Sequence, residues 1–557
     1  MATELLCPAG GLETLRYALM GGADAVYFGT KEFNARMNAR NMERDEVLRA
    51  VSLCHDKGVR AYVTLNTLVT DRLLPRALDT AAFLYEAGVD ALILADLGLA
   101  RAIHDNFPDF ELHASTQLSG HSATAAAFFQ KAGFSRMVAA RELDEKNLRL
   151  LCKTSPIETE FFVHGAICAS ASGQCLMSSM IGGRSGNRGE CAQPCRLPYN
   201  GSYPLSFKDL CLASHLPKLV EAGVASLKIE GRMKGPDYVY TVASIWRRLL
   251  DENRPAAKKE LEALAGVFSR SGFTDGYFTG RKNSAMLGRR TEDDKKKTAV
   301  QKISYRERER GLPPITLTRE KKECAAPSLP PKEKGSFTRS ARFASAAQIP
   351  ETDYFHIRYL PLFAFDGSVA NGAVLPPVIF DSEMAAVRER LEQAVAEGCE
   401  HLLVGNAGHL ALAEGLGLTL HGDFRLNVTN SFAAKEYPAL SNLILSPELG
   451  LAQMRDLRAK KCAVIYGRLP LMLLEKDPEA KLLRDRRGAA FPVLREGGRF
   501  VLYNCVPHYM LDKKRELKDA GITSHHWIFT TETKKDVLSL IQSAKEGKSA
   551  SFPIKRI

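Results

Sequence analysis

Four of the twelve cysteines in this 557-residue chain fall in one stretch, "CASASGQCLMSSMIGGRSGNRGECAQPC", at residues 168–195. Their spacing is C-x6-C-x15-C-x3-C. Structural zinc sites pair cysteines two to four residues apart on each side, which suits Cys191 and Cys195 but not Cys168 and Cys175. An iron–sulfur cluster is wider than one ion and accepts looser spacing. A redox or free-thiol role is the third option that the spacing leaves open. Cys211, in "SFKDLC", is a fifth candidate ligand. Arg184, Arg188 and Arg196 stand close by and would compensate thiolate charge. The insert "GGRSGNRG" lacks the Gly-Lys-Ser/Thr ending of a phosphate-binding P-loop. Its amides, with Arg184 and Arg188, could still bind an anion. Otherwise it is a flexible cover, or slack that brings Cys191 and Cys195 round to the others.

These residues need a scaffold, and the first 250 residues have a repeating one. A helix ending in Ala-Gly or Gly-Gly is followed by a short apolar run, as in "GGADAVYFG", "AGVDALILAD", "AGFSRMVAAREL" and "AGVASLKIEGR". The glycine caps the helix and the β-branched run behind it is a buried parallel strand. Four more runs, "TELLCPAG", "RAYVTLNT", "FELHASTQ" and "ETEFFVHGAI", bring the count to eight strands. Alternating strands and helices predict an α/β fold, a (β/α)8 TIM-like barrel over residues 1–250. Chemistry in such barrels sits at the C-terminal ends of the strands. His113, Gln117, His164, Lys228, Glu230 and Arg232 are expected there, as candidates for substrate contact and proton transfer. The cysteine stretch follows the seventh strand and belongs to the same rim.

Residues 251–340 read as a helical extension and charged linker, with "RRTEDDKKKTAVQK" and "APSLPPKEKG" marking irregular chain. A solvated connector is expected; an RNA-contacting basic arm is the alternative. The strand rhythm then returns. "LTLHGDFRLNVTNSFAA" repeats "FELHASTQLSGHSATAA", and "KKCAVIYGRLPLML" repeats "TEFFVHGAICASASGQCLM" without its cysteines. Residues 341–547 are therefore expected to be a degenerate, duplicated barrel-like α/β domain, followed by a tail at 548–557.

Lys and Arg outnumber Asp and Glu, 76 to 64, for a formal charge of +12, a lean toward polyanions such as RNA. No apolar run reaches the length of a membrane span, and no signal-peptide core opens the chain. A cytoplasmic location with no membrane partner is expected, where clustered thiols point to metal or redox chemistry more than to disulfides.

The motifs "ELLCPAG", "DAVYFG", "FFVHGAICASASGQCLMSS", "GNRGECAQPCR", "SFKDLC" and "KIEGRMKGPDYV" resemble the collagenase-like peptidase family U-32, in order, over roughly residues 4–280. The longer C-terminal part is similar to the branch that hydroxylates cytidine in ribosomal RNA. The resemblance implies an oxygen-independent hydroxylase with a 4Fe–4S cluster on Cys168, Cys175, Cys191 and Cys195. Cys211 is the alternative fourth ligand. It implies an RNA substrate, with ribosomal cytidine first and transfer-RNA uridine next, and prephenate as hydroxyl source. Arg232 or Lys228 would grip such a small carboxylate. A peptidase, and a non-catalytic metal-stabilised RNA-binding protein, are the alternatives. The chain carries no HExxH or GxSxG motif to support the first.

Overall fold

A computed structural model describes residues 3–300, 303–322, 324–333 and 335–554. Eight parallel strands close the first barrel: Glu4–Pro8, Ala25–Gly29, Arg60–Leu65, Ala91–Leu94, Glu111–Ala114, Arg136–Val138, Glu158–Gly165 and Ser226–Ile229. Each pairs with the next, and the eighth pairs with both the first and the seventh. All eight predicted strands are therefore present. Gly22, Gly88, Gly133 and Gly223 end the intervening helices with left-handed φ, a conformation that costs other residues. Asp96, Ser122 and Asp144 begin helices by accepting the backbone N–H three residues on.

The second half also closes. Strands Thr338–Phe343, Ile357–Pro361, Gly372–Val374, His401–Val404, Thr419–Gly422, Leu440–Ile444, Lys461–Gly467 and Ser524–Phe529 form another parallel barrel of eight. It is degenerate in chemistry but complete in architecture.

The barrels join through equivalent elements. Helix Leu97–Asn106 of the first packs on helix Ser431–Lys435 of the second, and helix Ala123–Lys131 packs on the 3-10 turns at Ala407–Ala413. Close approach demands glycine on both sides. A Cβ at Gly98 would lie 2.3 Å from Asn430 Oδ1, and one at the duplicated position, Gly408, 2.6 Å from the Ala125 nitrogen.

Residues 303–322 of the charged linker are neither free nor near the rim. It crosses the ends of the first barrel's helices, where Arg308 N–H bonds the Met20 carbonyl and Ile315 N–H the His55 carbonyl. Arg310 pairs with Asp24, and Arg319 stacks on Tyr85 and Phe110. These positions lie at the N-terminal end of the strands, opposite the predicted site. Arg310 and Arg319 are thus taken up by the barrel's underside, while Arg289, at the start of the charged stretch, stays exposed beside Tyr203. Among the described residues no helix is long and apolar enough to cross a membrane.

Candidate active site

The cysteine stretch folds over the C-terminal rim of the first barrel. Cys168 follows the seventh strand, Cys175 ends a short strand at Ser170–Cys175, and Cys195 sits in a 3-10 turn at Pro194–Arg196. The four thiols lie within electrostatic reach of one another. Burial pushes the Cys175 thiol well above its ordinary range, and the charge of Cys168, then of Cys191 and Cys195, raises it further. Cys195 is raised to about 12, first by burial and then by Cys168, with Arg196 pulling the other way. Cys211 stands apart: burial raises it to about 12, and its charged neighbour is Asp275 rather than another thiol. Cys195 is thus the better-placed fourth member. Among the described residues no group of three or more His, Cys, Asp or Glu side chains is arranged to hold a metal ion. The donor set, four thiols within electrostatic reach of one another with Arg196 acting on Cys195, is of the type that ligates an iron–sulfur cluster.

Two barrels hold this loop. Strand Ser170–Cys175 pairs antiparallel with Pro470–Leu474, extending a five-stranded sheet of the second half. On the first barrel Glu142 accepts the Ser172 N–H at 2.8 Å and its hydroxyl at 2.9 Å, while His121 Nε2 lies 2.6 Å from the same carboxylate. These donors hold Glu142 down at about 2 although its burial opposes them. From the second barrel Asn427 Nδ2 donates to the Gly173 carbonyl and Arg425 donates to the Gln174 side chain. The glycine insert is pinned as well. Leu68 N–H bonds the Asn187 carbonyl, and Asn187 Nδ2 donates to Glu448 at 2.9 Å. Gly189, at φ 87°, passes so close that a Cβ would meet the Asn34 carbonyl at 2.3 Å. The insert is thus anchored at its 187–189 end, while residues 182–184 stand exposed.

Beside the thiols lies an arginine cluster around one carboxylate. Arg36 pairs with Glu230 at 3.2 Å. Burial alone would raise Glu230, but Arg36, Arg141 and Arg232 together hold it below the usual carboxylate range. Arg36 also feels the charge of Cys191, which ties the cluster to the cysteine loop. Arg232 is buried, lowered to about 10 by that burial, and bonded only to neutral oxygens of Thr64, Asn34 and Asn41. Its Nε has no partner. A side chain at Gly29 would collide with its guanidinium. Three guanidinium groups thus face one carboxylate.

Residues 10–287 match peptidase family U32. Over 300 residues, half of this chain, the sequence is 36% identical to the "tRNA hydroxylation protein P1" of Bacillus subtilis (strain 168) and spans 71% of that relative. The chain belongs to peptidase family U32. A 41% identity over 259 residues, 44% of this chain, relates it to the "23S rRNA 5-hydroxycytidine synthase" of Escherichia coli (strain K12); the match spans only 39% of that protein. A third U32 relative, named "Collagenase", from Porphyromonas gingivalis, is 34% identical over 313 residues, covering 50% of this chain and 74% of its own. The U32 match takes in the first barrel from its first helix onward and the extension as far as residue 287. There Phe273–Thr274 pairs with Asp209–Cys211 at the barrel's edge. The second barrel lies outside it.

The structure moves several expected site residues away from the rim. His113 points into the barrel, wholly buried, with both ring nitrogens unpartnered and its ring edge-on to Tyr62. Burial, helped by Arg136 and Lys228, keeps it neutral. Lys228 is spent inside the same interior, 2.6 Å from Glu160 and over the Tyr27 ring. Both positions alternate inward along short strands, and inward here means the middle of the barrel. His164 is buried on the helix side of its strand, against Trp246, Tyr238 and Phe273, and is lowered to about 3 by burial. A register shift at Lys228/Ile229 sets it there. Gln117 lies in the turn Thr116–Leu118, where its carbonyl presses against Gly173 beneath the cysteine strand. Glu230 and Arg232 are where expected. Arg184 is exposed, and Arg188 is half-buried with one guanidinium nitrogen unpartnered. Sequence reading passed over Asn34, Arg36 and Asn41. Their signal was the long polar loop "NARMNARN" directly after the second strand.

Proposed function

We propose that this chain hydroxylates a base in RNA at the C-terminal rim of its first barrel. Cys168, Cys175, Cys191 and Cys195 would hold a 4Fe–4S cluster, which supplies one-electron chemistry at that rim. The observation that carries the reading is that four thiols in electrostatic contact and the arginine cluster around Glu230 share one rim, with Cys191 acting on Arg36. The names of the two hydroxylating relatives support RNA as the substrate; ribosomal cytidine is the base we favour, with transfer-RNA uridine next.

The chain's own residues have definable tasks. Three guanidinium groups against one carboxylate leave a surplus of positive charge, which favours a small dicarboxylate such as prephenate as hydroxyl source. Arg36 and Arg232 would grip it, and the Nε of Arg232 has no other partner. Glu230, mostly buried at the mouth and kept ionised by the arginines around it, is the base positioned to take a proton. Glu142 and His121 keep the cysteine strand in register. The second barrel braces the loop through Pro470–Leu474. A peptidase reading has the name of one relative behind it, but the buried rings of His113 and His164 bond no side chain and offer no thiol a base.

The test compares nucleosides from RNA of strains with and without the gene by mass spectrometry. A hydroxylated cytidine or uridine should vanish on deletion, return with the intact gene, and stay absent with Cys175→Ala. An unchanged nucleoside profile overturns the reading.

A further inference from the structure

The second half contributes more than a brace. A cleft of about 740 Å3 opens between residues 200–208 of the first barrel, the extension at 287–291 and residues 476–483. That volume lies in the range of ligand-binding clefts, roughly 300–1,000 Å3. Tyr203 forms one wall, with the exposed Arg289 guanidinium 5.2 Å from its ring centre. The opposite wall is a hairpin in which Leu482–Arg484 pairs antiparallel with residues 490–492. In the floor, Lys476 and Glu479 neutralise each other at 3.1 Å.

The hairpin's tip reads "KLLRDRRG". Its one acid, Asp485, accepts the backbone N–H of Arg487 at 2.8 Å and of Ala489 at 2.9 Å, and so builds the turn. Lys481, Arg484, Arg486 and Arg487 are exposed, and among the described residues they form no ion pair. Four long cations held at one tip, without acidic partners, are poorly explained by stability. The tip is also fixed relative to the thiols. Asn200 donates its backbone N–H to the Arg484 carbonyl and its side-chain amide to the Leu482 carbonyl, and accepts the Arg484 N–H at 2.9 Å. One residue earlier Tyr199 packs on Phe491 and donates to the Pro194 carbonyl beside Cys195.

We propose that this cleft is the docking groove for single-stranded RNA flanking the target base. The 481–488 hairpin grips phosphates, and Tyr203 with Arg289 stacks a neighbouring base. The inference rests on RNA being the substrate, and it gives the second half a share in substrate binding.

The probe is a fluorescein-labelled, mixed-sequence RNA strand of about 20 nucleotides, titrated into the full chain and read by anisotropy at several salt concentrations. R484Q/R486Q/R487Q should bind it at least tenfold more weakly. The slope of log affinity against log salt should fall by about 2, the value for three lost phosphate contacts on a single strand. Y203A should cost about tenfold for the single strand and little for the same sequence as a duplex. R515Q/K535Q, which removes exposed cations elsewhere, is the control and should match the intact protein. Thermal melts establish that each variant is folded. A folded triple variant that binds within twofold of the intact protein, with an unchanged slope, overturns the groove. So does displacement of the RNA by polyglutamate at equal charge concentration, which would mark an acidic-peptide site. The nucleoside assay keeps the two failures apart. Modification lost in Cys175→Ala but intact, with full binding, in the triple variant sinks the groove alone. Weakened binding in the triple variant, with no nucleoside dependent on the gene, sinks the hydroxylase reading alone.

Discussion

Asp71 of the first barrel accepts both the backbone N–H of Ser431, at 2.8 Å, and its hydroxyl, at 2.7 Å, across the junction with the second. The relation is returned. Asp381 of the second barrel accepts the N–H of Ala123, at 3.0 Å, on the first. Each barrel thus caps a helix of the other, at sites the internal duplication makes equivalent. The junction is an exchange of helix caps and not a smooth apolar contact.

D71A should therefore cost about 1–2 kcal/mol of stability, the usual loss for a helix cap, and D381A a similar amount. The two caps share no partner, so the double variant should lose close to the sum. Urea denaturation followed by circular dichroism measures this. A neutral double variant would mean that the caps do not hold the barrels together.

Replacing any one of Cys168, Cys175, Cys191 or Cys195 by alanine should abolish the brown colour and most of the iron of anaerobically purified protein. Cys211→Ala should keep both, because its thiol is set apart from the other four. Iron and sulfide assays with visible spectra decide the matter. A colourless Cys211 variant would make it a ligand in place of Cys195.

R36Q leaves Glu230 without its paired cation in a buried setting. Loss of nucleobase hydroxylation by at least tenfold is expected, equal to about 1.4 kcal/mol. The protonation of Glu230 should also rise toward neutral pH, because burial is then opposed by fewer cations. A rate-against-pH profile whose acid limb moves upward in R36Q, with melting temperature little changed, separates this role from a structural one.

The barrel was legible in the sequence because four of its helices end on a glycine, Gly22, Gly88, Gly133 and Gly223, that a tight turn before a buried strand explains. The second barrel was legible through its repetition of that pattern. Depth was not. On strands of four or five residues, "near the end" and "in the middle" differ by one alternation, so Lys228 and His113 fell inside while Glu230 and Arg232 fell at the mouth. The pairing of Ser170–Cys175 with Pro470–Leu474 joins residues some three hundred positions apart, and no local pattern announces it. Asn34, Arg36 and Asn41 were hidden because a long polar loop reads first as solvent-exposed chain. The clustering of the four cysteines is plain in the sequence, but that Cys211 stands apart from them needed coordinates.

Glu142 should make the cysteine strand acid-sensitive. Its folded value of about 2 lies below the unfolded value of about 4.5. The stability it adds is complete above 4.5 and is lost as pH falls from there toward 2, an effect of about 2–3 kcal/mol for a buried carboxylate. E142Q keeps the shape but not the charge, so it should destabilise at pH 7 and show a flatter profile below pH 4.5. Equal acid sensitivity in both proteins would place the titrating group elsewhere.

A separate acid effect should begin at higher pH, from histidines buried neutral. His164, His409 and His526 are each lowered to about 3, first of all by burial, from an ordinary value of 6.5. The unfolded chain takes up protons below 6.5 while the folded chain does not until about 3. Stability should therefore fall as pH drops through that window, by up to about 1.4 kcal/mol per group per pH unit. At pH 5 each histidine would account for about 2 kcal/mol, and Glu142 for nothing yet. His164 packs against aromatic rings and bonds no partner, so phenylalanine is a close substitute in its cage. H164F should match or exceed the intact protein at pH 7 and lose about 2 kcal/mol less on going to pH 5. Urea titrations at the two pH values measure the difference. A variant that loses as much as the intact protein would show that His164 is charged, or reached by water, in the folded chain.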